Sequence, residues 1–331
     1  MPREEKSIFY NKRRVLIPGG AGFIGSNLAG KLIASGADVT IVDSFEKSCG
    51  ANISNLSGIE KKATIARERV EDFIKGCDIA AYDIIFNCIG LTDHHIGYED
   101  PALDYEINCL SGLRILEKLA CSKSRARLVS IGTRNQYGKS ASVILDESSV
   151  MNPLDVQAIH KVALERYHSV FASRYGLDTI FARMTNTYGP AQKLKGGGIG
   201  VVGELIRNAL TGEDVVVYGD MSRVKDLIFV DDAVSALLSI GMLPSGKAFD
   251  VYNVGGHACA MAELTDAVKA CLPVKVKIVP FPDKIKKMDT GDTVLDTKKI
   301  RKATGWKPTT GVKKGIAMTM DYYKSHRNEY L

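Results

Sequence analysis

The sequence predicts an α/β fold, a doubly wound parallel sheet with a smaller C-terminal lobe. Three observations predict it. Short apolar strands alternate with helical patterns through the first half of the chain. A glycine-rich turn joins the first strand to the first helix. An aspartate closes the second strand.

The elements follow in order. "RVLIP" reads as a strand and "FIGSNLAGKLIASG" as a helix closed by Gly36. "DVTIVD", "YDIIFNCIG" and "ARLVSIG" are further strands, with short, nearly continuous apolar runs that suit strands covered on both faces. Helical patterns cover 103–120 and 155–174. The second half is less regular. It carries a glycine-rich loop "KLKGGGIG", a helix over about 199–211, the strands "VVVYG" and "DVYNVGG", and a helix near "DDAVSALLSIGML". "VKVKIV" alternates and reads as a half-exposed strand. The expected division is a dinucleotide-binding domain over 1–185 and a substrate lobe over 186–331, partly interleaved.

Totals narrow the function classes. The chain has 331 residues and is 45% hydrophobic, enough for a large core. The net charge is +6, with basic residues scattered rather than clustered, so no nucleic-acid arm is expected. Seven cysteines are widely spaced, without a C-x-x-C pair, which argues against a disulfide framework and a zinc site. The charged N-terminus lacks a signal-peptide core, and no apolar run could span a bilayer. A cytoplasmic protein without metal or membrane partner is expected.

"RVLIPGGAGFIGSNL" places Gly19, Gly22 and Gly25 in the spacing G-x-x-G-x-x-G, with Phe23 and Ile24 in the same turn. Such a turn lets the backbone approach a pyrophosphate at a helix N-terminus. Asp43, at the end of "DVTIVD", can accept hydrogen bonds from adenosine ribose hydroxyls and would repel a 2′-phosphate. NAD is therefore favoured over NADP. The competing reading is a tight strand–helix turn and a solvated aspartate.

With these glycines, "GTRNQYG", "RMTNTYGP", "VYGDMSRVKDLIFVDD" and "GWKP" occur in one order. Together they resemble the extended short-chain dehydrogenases, the nucleotide-sugar epimerases and dehydratases, from about residue 12 to about residue 320. The resemblance implies a Rossmann domain holding NAD, a C-terminal lobe holding a nucleoside-diphosphate sugar, and oxidation of the sugar at C4. It places Thr133 on the Ser/Thr that bonds the reacting hydroxyl. Lys161 falls on the lysine of the nicotinamide ribose and Asn186 on an asparagine of the substrate diphosphate. Lys225 stands where arginine is usual, keeping charge without the bidentate fork. Asn108 reads as structural, and Asp231 and Asp232 as ordering a helix start.

Departures matter too. The acid pair of the 4,6-dehydratases falls on Arg134 and Asn135, neither of which shuttles a proton at neutral pH. An adenine-contacting Asp is replaced by Glu68 or Arg69. Most telling is "DVQAIHK". The family's catalytic tyrosine falls on Gln157, which can hold a hydroxyl but cannot act as its base. The replacement acceptor could be His160, on the same helical face as Gln157 and Lys161. It could instead lie in "GLTDHHIGYEDP", where Asp93, His94 and His95 follow a strand end on the substrate side. "TRNQYG", Gln157 and "KMDTGD" together resemble a divergent subgroup lacking the tyrosine. Epimerisation is the favoured outcome, needing fewest extra acid–base groups. A non-catalytic NAD or sugar-nucleotide binder and a one-way C4 dehydrogenase or decarboxylase are the alternatives. The resemblance also implies a homodimer paired through the helices near 103–120 and 155–174.

Overall fold

The computed structural model describes residues 3–245 and 248–331. Helix α1 (Arg3–Tyr10) precedes β1 (Arg14–Pro18), α2 (Phe23–Ala34), β2 (Asp38–Val42), β3 (Thr64–Ala66), α3 (Val70–Gly76) and β4 (Ile84–Asn87). Next come α4 (His94–Glu99), α5 (Pro101–Tyr105), α6 (Ser111–Cys121), β5 (Arg127–Thr133), β6 (Ile144–Leu145), α7 (Val156–Tyr175), β7 (Thr179–Met184) and β8 (Asn186–Tyr188). The remainder holds α8 (Gly200–Thr211), β9 (Val215–Tyr218), β10 (Val224–Phe229), α9 (Val230–Gly241), β11 (Phe249–Val254), β12 (His257–Ala260) and α10 (Met261–Lys269). It ends with β13 (Val276–Val279), α11 (Asp283–Met288), β14 (Val294–Leu295), α12 (Lys298–Thr304), α13 (Val312–Ser325) and α14 (Arg327–Tyr330).

Seven strands form one parallel sheet in the order β11-β7-β5-β4-β1-β2-β3. The chain winds outward from β1 to β3, then crosses to β4 on the other side of β1. Ligand sites form at the strand C-termini where the winding reverses, here between β1 and β4. Apolar cores cover both faces, which is why the strands read as unbroken apolar runs.

Three features depart from the sequence reading. The helix expected over 103–120 begins at Pro101 and carries a π-helical turn over Glu106–Leu110. Asn108 in that turn is fully buried; its amide donates to Leu91 O at 3.0 Å and accepts from Leu91 N at 3.1 Å. That clamp holds the loop after β4. The last strand of the main sheet, β11, comes from beyond residue 186, so the C-terminal half completes the dinucleotide-type sheet. Strand β13 pairs with β9 apart from that sheet, and it does not alternate, because both Lys277 and Ile278 are exposed. Among the described residues, no helix is long and apolar enough to cross a membrane.

Candidate active site

The turn after β1 needs its glycines for two steric reasons. Gly19 has φ +75°, and a Cβ there would lie 2.8 Å from the Cys88 carbonyl group and the Ile89 nitrogen. A Cβ on Gly25 would overlap the Gly19 carbonyl oxygen, so α2 could not sit so close to the turn. Helix α2 starts behind Gly22 without a side-chain cap, leaving its first N–H groups open to an anion. Asp43 stands beside this turn, accepting from Ala21 N (3.0 Å) and Phe45 N (2.9 Å). Burial pushes its pKa up, and those two amides oppose the shift. A groove lined by Gly19, Gly22, Asp43, Glu68, Arg69 and Gly90 runs across the turn. It fits NAD: an anion-binding helix start that side chains would fill, and a ribose-accepting carboxylate one strand away. Arg69 is exposed at the rim of this groove and tied to Glu106 at 3.1 Å.

A second cavity continues from the groove, sharing Gly22, Gly50, Cys88, Ile89 and Gly90 with it. Phe23 and Ile24 form one wall; Thr133, Gln157, Lys161, Asn186 and His94 stand around the rest. Cys88 lines both spaces, because it follows β4 at the C-terminal edge of the sheet. Lys161 Nζ donates to Ile89 O at 3.0 Å. Burial pushes its pKa down to about 8, against the opposing charge of Asp104. Gln157 is buried and donates its amide to Leu91 O at 2.6 Å, so its carbonyl oxygen is left to accept. Thr133 Oγ1 accepts from Asn135 N at 3.2 Å, leaving its hydroxyl hydrogen free to donate.

Asp155 was not singled out by the sequence reading. It caps α7 by accepting from Ala158 N at 2.8 Å, and it accepts from Asn135 Nδ2 at 3.3 Å. Its carboxylate also faces His94 Nδ1 at 3.6 Å, an ion-pair distance just beyond a hydrogen bond. That ring nitrogen is buried with no hydrogen-bond partner among the described residues. Burial alone would raise the Asp155 pKa, but His94, the Ala158 amide and Asn135 together hold it below the ordinary carboxylate value. An aspartate directly before a helical run signals a cap from sequence; its partner His94 lies too far along the chain to signal anything.

Several expected residues sit elsewhere. His160 is absent from the cavity lining: its Nδ1 bonds the fully buried Asp104 at 2.7 Å, and its ring packs edge-on to Tyr105. Gln157 and Lys161 reach the sheet edge, while His160 turns toward α5. His95 is exposed on the outer side of α4, whose start Asp93 caps by accepting from His95 N. Lys225 does not line the cavity either; its ammonium lies 3.9 Å from Asp289, in a cluster with Arg223 and Asp292. Burial and the neighbouring Arg134 and Arg223 charges push its pKa down to about 8. Asp231 and Asp232 lie inside the first turn of α9, and Asp232 accepts from Thr309 and Thr310, anchoring the chain before α13. Arg134 and Asn135, by contrast, both line the cavity.

A buried network fixes the Thr133 turn from behind. Gln136 Oε1 accepts from Thr133 N (3.0 Å), and Gln136 Nε2 donates to Glu165 (2.8 Å). Glu165 takes two hydrogen bonds from Arg183, at 2.6 and 2.8 Å. Arg183 also donates to Tyr137 Oη, which donates to Asn253 at 2.6 Å. Charge-assisted, bidentate contacts of this kind hold geometry tightly.

Comparison with known proteins agrees with this architecture. The model of the NAD dependent epimerase/dehydratase family matches residues 15–255. A dTDP-glucose 4,6-dehydratase of Streptomyces niveus is 30% identical, over 95% of this chain and 94% of its own length. The UDP-glucose 4-epimerase of Thermotoga maritima, solved with UDP-glucose, superposes with a TM-score of 0.85 at 27% identity, over 95% of this chain and 99% of its own. The UDP-glucose 4-epimerase of Thermus thermophilus, solved with NAD, gives a TM-score of 0.81 at 28% identity, over 94% and 99%. With a nucleotide cradle, an adjoining cavity and these full-length likenesses, the chain belongs to the NAD-dependent epimerase/dehydratase family of nucleotide-sugar enzymes.

Proposed function

We propose that this protein epimerises a nucleoside-diphosphate sugar through oxidation at C4, with His94 and Asp155 performing the proton transfer that tyrosine performs elsewhere in the family. The observation that carries this reading is the placement of His94, backed by a buried carboxylate, in the same cavity as Thr133, Gln157 and Lys161. Bound NAD supplies the reversible removal of hydride from the sugar carbon. Thr133 donates a hydrogen bond to the reacting oxygen, and the Gln157 carbonyl oxygen accepts from a second sugar hydroxyl beside it. His94 takes the proton on its outer nitrogen, while Asp155 orients the ring and stabilises the charge it gains. Lys161 holds the nicotinamide ribose and adds positive charge near the developing oxyanion.

Epimerisation needs only this one acid–base pair. A 4,6-dehydration needs further groups beside Thr133, where Arg134 and Asn135 stand. The amide at 157 supports a second reading, a binding protein with slight turnover, since loss of a general base costs ~10²–10⁴-fold. Incubation with UDP-, GDP-, CDP- and dTDP-sugars, followed by product analysis, separates these readings. An epimer without net cofactor reduction is expected; binding without product on any sugar would favour the second reading. Stable reduction of NAD would instead indicate a one-way dehydrogenase.

The homodimer proposed for this chain pairs through the helices near 103–120, which span α5 and α6, and 155–174, which is α7. Tyr105, Ile159, Tyr167 and Val170 there are large hydrophobic side chains left exposed. Such a row favours a covering partner.

A further inference from the structure

Arg134 lines the cavity as a cation with no counter-charge at ion-pair distance among the described residues. Arg134 follows Thr133 directly and opens the short turn Arg134–Tyr137 at the end of β5. Its guanidinium donates to Thr290 Oγ1 at 2.9 Å and to Asn186 Oδ1 at 3.5 Å, both neutral acceptors. No carboxylate stands within ion-pair distance of it among the described residues. The acids nearest in effect are turned to other donors. Asp226 accepts from Gly256 N and Leu295 N. Asp289 pairs with Arg223 at 2.8 Å, and Asp155 serves His94, Asn135 and Ala158.

A guanidinium carries five N–H donors in one plane and stays charged, so Arg134 retains donors for a bidentate acceptor. Holding such a charge away from water without a partner is costly, and a substrate that brings an anion removes that cost. Position decides which anion. Thr133 holds the C4 oxygen in the proposed reaction. On a pyranose ring C4 is flanked by C3, which bears a hydroxyl, and by C5, whose C6 substituent is the one neighbour that can be a carboxylate; the phosphate-bearing C1 lies across the ring. An anion met by the residue next to Thr133 is therefore the one at C6.

We infer that Arg134 recognises a carboxylate at C6, so that the preferred substrate is a nucleoside-diphosphate uronic acid rather than the neutral sugar. The inference rests on the C4-oxidation reading above. It gives the arginine that excludes dehydratase chemistry a role of its own: a specificity-determining contact.

The test is calorimetric binding to the full-length, NAD-loaded protein. Matched pairs of 6-carboxyl and 6-hydroxymethyl sugars are compared in the UDP, dTDP and GDP series, with each nucleoside diphosphate alone as reference. Wild-type protein should bind the uronate about 10- to 100-fold more tightly than its neutral partner, the range for a bidentate charged contact. Arg134→Gln should erase that preference and leave affinity for the neutral sugar and the free diphosphate within about twofold. Arg134→Lys, which keeps the charge but not the fork, should retain part of it. Equal binding of both sugars by wild type overturns the inference. So does an Arg134→Gln variant that loses the free diphosphate as much as the uronate, since Arg134 would then serve the phosphates. Failure to bind any sugar nucleotide in any series, with NAD still bound, would overturn the parent reading as well.

Discussion

Asp155 holds two positions at once: it caps α7 through Ala158 N and faces His94 Nδ1 across 3.6 Å. The helix that carries Gln157 and Lys161 is thereby fixed to the histidine that faces the same cavity. One carboxylate sets the start of the helix and faces the histidine ring.

Substitutions separate those two roles. His94→Gln should lower kcat by ~10²–10⁴-fold, the loss expected for a general base. Asp155→Asn keeps a good cap and should leave the melting temperature nearly unchanged while lowering kcat. Asp155→Ala should do both, with about 1 kcal/mol lost from the cap. His95→Gln, at an exposed position, should change neither. Steady-state kinetics beside thermal melts decide the matter. Full activity in His94→Gln would remove the histidine from the reaction.

The pH profile reports on Lys161. Its pKa is lowered to about 8 from an ordinary 10.5. Below about 8 the ammonium is charged and assists catalysis; above it the charge is lost, so kcat/KM should fall about tenfold per unit on the alkaline side. Stability moves oppositely. Between about 8 and 10.5 the unfolded chain holds a proton that the folded chain has released, so this group makes the fold more stable as pH rises through that window. Lys161→Met should lose the alkaline limb of kcat/KM and reduce the stability rise, of which Lys225 supplies a further part in the same window. A variant that retained the alkaline limb would assign it to another group.

The Glu165–Arg183 pair should be the costliest contact behind the site to break singly. Both side chains are almost fully buried. Glu165→Ala or Arg183→Ala leaves a buried charge unpaired, a loss of about 3–5 kcal/mol. A double Glu165→Leu, Arg183→Met replacement should lose less than the sum of the two single changes. Denaturant unfolding measures all three. Additive losses would mean that the pair is not coupled.

Assembly has an equally simple check. Ile159→Glu with Val170→Glu places charge in the exposed apolar row of α7. Sedimentation of the wild type should give twice the chain mass, and the variant should give one. A monomeric wild type would contradict the dimer.

Much of this was legible in the sequence, and the reasons differ by residue. Gly19, Gly25 and Asp43 lie within one strand–turn–helix–strand unit, where spacing alone defines geometry. The same holds for the parallel sheet, whose strands declare themselves by unbroken apolar runs. The arrangement around Gln157 was harder to read. Helical spacing puts His160 beside Lys161, but a one-position rotation along α7 aims it at Asp104 on α5, a contact made across the fold. Lys225 was expected as a substrate-side cation in place of arginine, and Asp289, far along the chain, lies within ion-pair distance of it. His94 was expected on the substrate side after a strand end, but Asp155 was legible only as a polar residue before a helix. Their relation exists because α4 and the head of α7 meet over the sheet edge, which no local pattern encodes.

The most direct measurement is a structure of the protein crystallised with NAD and its nucleotide sugar. The account predicts the sugar in the second cavity, its C4 hydroxyl within about 2.6–3.2 Å of both Thr133 Oγ1 and the outer ring nitrogen of His94. A sugar lodged elsewhere, or a C4 hydroxyl facing neither residue, would contradict it.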